Sequence, residues 1–457
     1  MAKQVSTKKR DSKIMQLNPN AAGIDIGSQR HYVAVPSNRD AEPVRSFGCL
    51  TPELHQMAKW LKSCGIETIA MESTGVYWVP VVTVLESYGF DVKLVDAYKV
   101  KNVPGRKTDV KDCQWLAELH KYGLLSGAFR PDKQIQVLRS YWRHRGELVE
   151  SCSRQIHLMQ KSLEQMNIQL HKVITDITGV TGMKIIRAIV AGERNAVTLA
   201  RMKHPLIKSS TDTIAKALTG EYRQEHLFSL RQALEIYDIY QNKIIECDRQ
   251  IEEYMKTFES RAQADNLDSK PGKKSRSKRR KNQPYFDLRS RLFEMTGVDL
   301  TQIDGIETMT AQTIISECGF DMSRFATEKH FTSWLGLCPD NRITGGKVKK
   351  SRTRRVQNRA ARALRLAAQS LHRSKSALGA FYRRMRSRLG ASKAITATAH
   401  KIAKLVYRML KYGCDYVDSG QLYYEKQYRQ RVLKNLTRRA REMGYGIICT
   451  NTGELVS

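Results

Sequence analysis

The chain has 457 residues, with 78 Lys and Arg against 45 Asp and Glu, and a formal net charge of +33. This length predicts about two to four domains with at least one sizeable core, and positive charge spread along the whole chain indicates a polyanionic partner. The sequence has no apolar run of about 18 residues, signal peptide or lipidation motif, which argues against a membrane protein.

The nine cysteines are scattered along the sequence without C-x-x-C spacing. That pattern argues against a zinc site and against a disulfide framework. We therefore expect reduced cysteines that mostly fill cores, as in a cytoplasmic protein.

The fold class predicted from the pattern of elements is α/β plus α. Residues 21–135 alternate short apolar strands with helices, the pattern of a mixed sheet covered by helices. Strands are predicted at residues 21–27, 32–35, 44–47, 67–72 and 91–95. Helices are predicted from an N-cap at Thr51, from Val76 to Tyr88, and over the segment that carries Asp109.

Four acidic residues stand at prominent places in this domain: Asp25 on the first strand, Glu72 at a later strand end, and Asp109 and Asp112 on the last helix. Asp109 and Asp112 are three residues apart, so a helix would place them on one face. Carboxylates gathered at one point are the preferred ligands of Mg²⁺ or Mn²⁺. The alternative is that they are first-turn carboxylates that complement the helix dipole.

The middle of the chain is predicted to be almost wholly helical. Apolar residues recur at three- and four-residue steps, such as Met159, Leu163 and Met166 in one stretch and Leu230 and Leu234 in another. Long amphipathic helices of this kind form coiled coils or bundles, and we expect them to mediate oligomerisation, with an intrachain core as the alternative. A basic stretch rich in Lys and Arg, 270–281, then reads as an unfolded linker near nucleic acid, or as a solubilising spacer.

The C-terminal part begins with a short pattern, Leu300 to Ile306, in which Asp-Gly stands between apolar residues before a predicted helix. This pattern resembles a helix-hairpin-helix, whose glycine turn offers backbone N–H groups to a phosphate. Next come Gly336-Leu-Cys-Pro339, a loop with Thr344-Gly-Gly-Lys347, and a basic segment that runs into a predicted helix over 360–371.

Cations near these motifs are candidate phosphate contacts, and the alternative for each is a solvated surface charge. The predicted nucleic-acid-binding residues are Arg106, Lys107, Gly345, Gly346, Lys347, Lys349, Lys350, Arg352, Arg354, Arg355 and Arg359.

The predicted organisation divides the chain into six segments. They are a basic disordered tail (1–20), an α/β domain (21–135), a helical or coiled-coil region (136–260), a basic linker (261–290), a mainly helical C-terminal domain (291–390) and a helical extension (391–457).

The acids in D-E-D-D order, the G-L-x-P motif and the hydroxyl-Gly-Gly-Lys loop together resemble the DEDD transposases of bacterial insertion sequences, the bridge-RNA-guided recombinases. The resemblance covers residues 20–170 and 295–385. It implies an RNase-H-like domain of the RuvC type, in which Asp25, Glu72, Asp109 and Asp112 hold Mg²⁺ or Mn²⁺. It further implies cutting and rejoining of double-stranded DNA, a noncoding guide RNA, a homo-oligomer (dimer or tetramer), and a place in the bacterial cytoplasm at the nucleoid.

The chain departs from the resemblance at the nucleophile, which the family places on a serine before Gly-Gly. Here that position is Thr344, whose extra methyl crowds an in-line approach, and Ser351 is the competitor. The alternative is that neither hydroxyl is the nucleophile and that both only cap the backbone or contact a phosphate. Two other functions stay open: a metal-dependent Holliday-junction-type endonuclease without a covalent intermediate, and a non-catalytic nucleic-acid-binding protein.

Overall fold

The computed structural model describes residues 16–73, 75–95, 109–125, 127–261, 282–354, 356–414 and 416–448. The chain divides into two compact units, Met1–Arg130 and Pro131–Ser457. The predicted linker over 270–281 lies outside the described residues, as do most of the predicted N-terminal tail and the end of the extension.

The first unit is a sheet of five described strands in the order β3-β2-β1-β4-β5. β1 is antiparallel to β2 and parallel to β4, and β4 is parallel to β5. The arrangement is a mixed α/β sheet, as predicted, and is consistent with an RNase-H-like domain. Its strands are β1 Ala21–Ile26, β2 Arg30–Ala34, β3 Val44–Gly48, β4 Thr68–Glu72 and β5 Asp91–Val95.

One face of this sheet carries the core. Alternate residues of β1, Ala22, Ile24 and Ile26, are buried against two helices, α1 (Thr51–Ser63) and α2 (Trp78–Ser87). The helix predicted from an N-cap at Thr51 begins at Thr51 itself, with Leu50 at the N-cap. That part of the prediction is wrong, because Glu53 accepts a hydrogen bond from the Leu50 backbone N–H and so caps the helix without the Thr51 hydroxyl.

The opposite face of β1 is covered by a third helix, α3 (Asp109–Lys121). The helix can lie close because β1 has a glycine there. A Cβ at Gly23 would stand 2.2 Å from the Cys113 carbonyl oxygen and 2.3 Å from the Ala117 nitrogen. Strand residues alternate between faces, so Gly23 and Asp25 share the face that α3 covers.

The second unit begins with two long helices, α4 (Lys133–Gln165) and α9 (Gln224–Met255). They pair antiparallel, and the carboxylate of Asp248 and the guanidinium of Arg145 form a buried ion pair between them. Four short helices pack at the end of this pair where α4 ends and α9 begins, and they share a core with it. These helices are α5 Leu170–Val173, α6 Val180–Val190, α7 Ala196–Arg201 and α8 Thr211–Leu218. The apolar repeats of the helical middle are thus largely buried within the chain, the predicted alternative, although Ile236 in the same repeat is 37% exposed.

The rest of the second unit is mainly helical, as predicted. Two strands, β6 (Pro339–Thr344) and β7 (Lys347–Thr353), interrupt it. The prediction of a loop at this place was wrong, because each strand pairs with the other across a tight Gly-Gly turn. The helices are α10 Leu288–Thr296, α11 Thr308–Cys318, α12 Glu328–Trp334, α13 Arg359–Ser370, α14 Ala377–Leu389, α15 Ala391–Tyr412 and α16 Gly420–Glu442.

Candidate functional site

Two of the four predicted acids lie beside each other at the same edge of the sheet. Asp25 is the penultimate residue of β1, and Glu72 is the last residue of β4. The parallel register pairs Ile24 with Met71, so the next positions along the two strands are Asp25 and Glu72. Neighbouring positions of parallel strands point to the same face, with the strands about 4.8 Å apart. Both side chains are half-buried.

Helix α3 brings the third acid to this face. The Asn18 side chain donates to the His120 carbonyl near the end of α3, whereas Gly23 lies against Cys113 and Ala117 further up the helix. The helix therefore runs antiparallel to β1, and its first turn approaches the end of β1 that carries Asp25. Asp112 is half-buried in that part of the helix.

The pKa of the Cys113 thiol is influenced by two of these carboxylates. Cys113 is fully buried, and burial raises the pKa of its thiol to about 12. That rise includes smaller contributions from the negative charges of Asp25 and Asp112. Asp25 and Asp112 therefore both lie within electrostatic reach of the same buried sulfur.

The donor chemistry of these acids fits a hard divalent cation, which prefers carboxylate oxygens. Among the described residues, however, no group of three or more His, Cys, Asp and Glu side chains is placed so that it could hold a metal ion. The Asp109 backbone begins α3, but its side chain lies outside the described residues, as do Arg106 and Lys107. The four-acid metal site therefore stays a prediction.

The β6–β7 hairpin carries both predicted hydroxyls. Its turn residues Gly345 and Gly346 have φ values of 55° and 73°. Positive φ at both central residues is the signature of a type I′ turn, and the absence of a side chain on glycine makes it easy to adopt. The register shifts between Arg342 and Ile343, so Lys349 is an extra, bulged residue on β7.

Thr344 and Ser351 lie on opposite faces of this hairpin. Thr344 pairs with Lys347, and Ser351 pairs with Asn341. Paired residues share a face and successive residues alternate, so Asn341 and Thr344, three positions apart, point in opposite directions. The two hydroxyls therefore cannot both face the same phosphate.

The residues of the G-L-x-P motif lie at the base of the hairpin, where the chain passes from α12 into β6. Gly336 ends α12 with φ +65°, and a Cβ at Gly336 would stand 2.7 Å from a Val356 methyl. Leu337 is buried, and the Arg354 guanidinium donates to the Ser333 carbonyl at 2.8 Å. The close approach of Gly336 to Val356 and the hydrogen bond from Arg354 to Ser333 together hold the base of the hairpin against α12.

The predicted phosphate-binding cations at this end of the chain lie at the surface. Lys347, Lys349 and Arg352 are exposed on β7, and Arg359 is exposed at the start of α13. Arg354 is exposed as well, although part of its donor capacity is used at Ser333. Arg355 and the Lys350 side chain lie outside the described residues.

Sequence reasoning missed two features of these regions. Gly23 sets how closely α3 packs on β1, and the signal available was a glycine two positions before a strand aspartate. Ile343 and Val348 are a cross-strand pair that stays 61% and 55% exposed. Reading residues 340–347 as a loop concealed that pair, because a loop has no register.

Comparison with known proteins places both regions in one family. Residues 22–168 match a family model of transposases of the DEDD IS110 type, and residues 299–383 match the model described as transposase IS116/IS110/IS902 family. Together the matches span about half of the chain. No curated protein matches it. Within the described part of the chain, no helix is long and apolar enough to cross a membrane.

Proposed function

The chain belongs to the IS110-type DEDD transposases, and from this membership we propose that it cuts and rejoins DNA through a covalent protein–DNA intermediate, with Thr344 as the nucleophile. As an insertion-sequence transposase it is a DNA-processing enzyme and binds DNA. The observation that carries the finer proposal is the position of Thr344 at the exposed tip of a basic hairpin.

The acids are proposed to form a divalent-metal site, on which transposases of the DEDD type typically depend. Asp25, Glu72 and Asp112, together with Asp109, would hold Mg²⁺ or Mn²⁺ in a RuvC-type arrangement. When bound, the metal would stabilise charge on the oxygens of the reacting phosphate. The shared face of Asp25 and Glu72 and the electrostatic reach of Asp25 and Asp112 to Cys113 support this proposal.

Thr344 is favoured over Ser351 because of what shares its face of the hairpin. The Thr344 face carries Lys347 and Arg352, whose positive charges attract a phosphate. The Ser351 face carries the apolar pair Ile343 and Val348. The position before Gly-Gly is also where the family places its serine.

The proposed reaction conserves phosphodiester bonds. The Thr344 Oγ1 forms a bond to phosphorus while one P–O bond of the DNA backbone breaks, and the leaving deoxyribose oxygen takes up a proton. The hydroxyl end of a second DNA strand then attacks the same phosphorus, and the Thr344 oxygen leaves and regains its proton. No external energy source is needed, because one ester bond replaces another at each step.

We further propose that a noncoding RNA directs the choice of DNA sequence and that the protein acts as a dimer or tetramer. The net charge of +33 supports a nucleic-acid partner beyond one DNA site. Sequencing the RNA that co-purifies with the protein tests the guide, since a random transcript population counts against it. Light scattering of the purified protein tests the assembly, and a monomer in the DNA-bound state contradicts it.

The decisive experiment is to trap the protein–DNA adduct under denaturing conditions. Wild type and Thr344→Ser should form the adduct, Thr344→Ala should not, and Ser351→Ala should behave as wild type. An adduct that is absent only in Ser351→Ala moves the nucleophile to Ser351. Cleavage without any adduct indicates a hydrolytic endonuclease instead.

The acids are tested in parallel by Asp25→Asn and Asp112→Asn. Each should lower the cleavage rate by about a thousandfold or more, since removing one electrostatic contribution to phosphoryl chemistry typically costs about 4 kcal/mol. Glu118→Gln is the matched control, an exposed carboxylate on the same helix, and should leave the rate unchanged. Intact cleavage in both aspartate variants would make the acids structural.

A further inference from the structure

Beyond Thr344, the hairpin has a second face with a feature that the proposed chemistry does not use. Ile343 on β6 and Val348 on β7 pair directly across the strands, next to the Gly-Gly turn. Their side chains are 61% and 55% exposed. Single exposed apolar residues are ordinary, but two β-branched side chains side by side at the tip of a ribbon form a small apolar edge that water solvates poorly.

The surroundings of this edge are polar and mostly cationic. From Pro339 to Arg352, every residue whose burial the structure describes is exposed. Lys347 and the bulged Lys349 stand on either side of Val348 in the sequence, and Arg352 lies further down β7. Cations beside an apolar edge suit a partner that offers phosphates next to apolar surfaces, which is the chemistry of a nucleic acid, with its charged backbone and stacked bases.

The shape of the element fits the same partner. A two-stranded β-ribbon is narrow enough to enter a groove of duplex DNA. Proteins that open or bend DNA insert apolar side chains such as isoleucine between base pairs and partly unstack them. The β-bulge at Lys349 strengthens the twist of the ribbon close to the pair.

We propose that the β6–β7 hairpin enters the DNA with Ile343 and Val348 against the bases, where the pair acts as a wedge that unstacks one base step. This inference rests on the proposed function and deepens it. The ribbon has two faces with separate tasks. The face of Thr344 and Lys347 meets the backbone, and the face of Ile343 and Val348 meets the bases.

The wedge is tested with the full-length protein, including any RNA that co-purifies with it, bound to duplexes that carry the fluorescent base 2-aminopurine at successive positions. Unstacking this base raises its fluorescence. Wild type should raise it at one or two adjacent positions. Ile343→Thr with Val348→Thr should abolish the rise while the protein still binds, because threonine keeps the β-branching that suits a strand and removes apolar surface.

Two matched variants separate the wedge from other effects. Leu366→Gln changes an apolar residue of α13 that is 58% exposed, and it should leave the fluorescence rise intact. Lys347→Gln with Lys349→Gln should weaken binding and reduce the slope of log affinity against log salt by about 2, since each phosphate that a lysine no longer neutralises lowers the slope by about 0.9. The threonine variant should keep the wild-type slope.

Three outcomes contradict the proposal that the pair acts as a wedge. Wild type binds DNA without any rise in fluorescence, the threonine variant keeps the rise, or the threonine variant changes the oligomeric state of the protein and leaves the unstacking of the DNA unchanged. The last outcome assigns the pair to a contact between copies of the chain. Failure of wild type to bind DNA at all counts against the proposed function instead, so the two failures are distinct.

Discussion

The two regions that carry the predicted chemistry are built in opposite ways. Asp25 and Glu72 lie on a sheet and directly follow Ile24 and Met71, which are both fully buried, and Asp112 lies on the helix packed against that sheet. The hydroxyls lie on a two-stranded ribbon whose described side chains are almost all exposed. In the first region packing within the chain holds the side chains in place, and in the second the turn, the strand register and the contacts at the base of the hairpin do.

The contrast follows from what must keep the side chains of each region in position. Carboxylates that repel one another must be held together by a rigid framework, which buried strands and a packed helix supply. A ribbon that binds a nucleic acid is stabilised by its partner and needs few internal contacts. Substitutions in the sheet should therefore change stability together with activity, whereas substitutions in the ribbon should change activity alone.

Gly23→Ala should have the largest effect on stability. The new methyl would stand 2.2 Å from the Cys113 carbonyl oxygen, and backbone cannot move aside as a flexible side chain can. We expect α3 to shift from β1 at a loss of about 3 kcal/mol in the free energy of unfolding. Chemical denaturation measures that loss, and DNA cleavage should fall because α3, which carries Asp112, moves away from β1.

The matched control is Gly146→Ala, in the interior of α4, where no atom lies within 4 Å of the added methyl. Alanine favours a helix over glycine, so this variant should be as stable as wild type or more so. If Gly23→Ala unfolds at the same denaturant concentration as wild type, α3 is not held by close packing at that glycine.

Protonation of His120 should make the free energy of unfolding depend on pH. It is buried, its Nε2 lies 2.8 Å from the Thr68 hydroxyl, and burial lowers the pKa of this imidazole from 6.5 to about 4. Between these values the unfolded chain binds a proton that the folded chain does not, so acid favours unfolding. Stability should fall by about 3 kcal/mol as the pH drops from 6.5 to 4.

The variant His120→Gln can keep a polar group near Thr68 without a titrating ring. Its free energy of unfolding, from denaturation curves at several pH values, should change less over this range than that of wild type. His31 should leave part of the slope in place, since burial lowers the pKa of its imidazole too. Equal slopes in wild type and variant would show that His120 is not the group responsible.

Gly345→Ala should have the smallest effect on stability. Nothing lies within 4 Å of the added methyl, so the change strains only the backbone, whose φ is +55°. The local cost is about 1 kcal/mol, borne by the hairpin, and the global unfolding temperature should stay unchanged. Adduct formation should nevertheless fall, because the turn positions Thr344.

Gly345→Asn tests the same turn with a residue that tolerates positive φ, and Asn-Gly is a favoured type I′ pair. Adduct formation in this variant should match wild type. Equal impairment of the alanine and asparagine variants would point to a direct role for the bare glycine backbone, such as close approach to DNA.

Several elements were predictable because their signals are local. Period-two alternation in Ala21 to Ile26 predicts a strand with Asp25 opposite the core residues, and the strand over Asp91–Val95 matches its prediction at both ends. The helical middle was predictable from apolar repeats of three and four residues. The family resemblance, which rests on the D-E-D-D order, the G-L-x-P motif and the hydroxyl-Gly-Gly-Lys loop, is confirmed by matches to two models of transposases of this family.

The hairpin shows where local signals are insufficient. Residues 340–353 are mostly polar and basic, and none of those whose burial the structure describes is buried, so alternation gives no strand signal. Gly-Gly permits a type I′ turn but does not require one. Only the paired strands establish the register, and the register is what separates Thr344 from Ser351.

The kinds of groups available, most of the strands and helices that bear them, and the family could be inferred from the sequence, because periodicity and motifs depend on neighbours along the chain. Only the tertiary fold shows that β1 lies beside β4, that α3 packs on Gly23, that Asp25 and Asp112 both lie within electrostatic reach of Cys113, and that Thr344 and Ser351 lie on opposite faces of the hairpin. These relations join residues distant in sequence or paired across strands. They depend on packing and hydrogen-bond register, which no local pattern encodes.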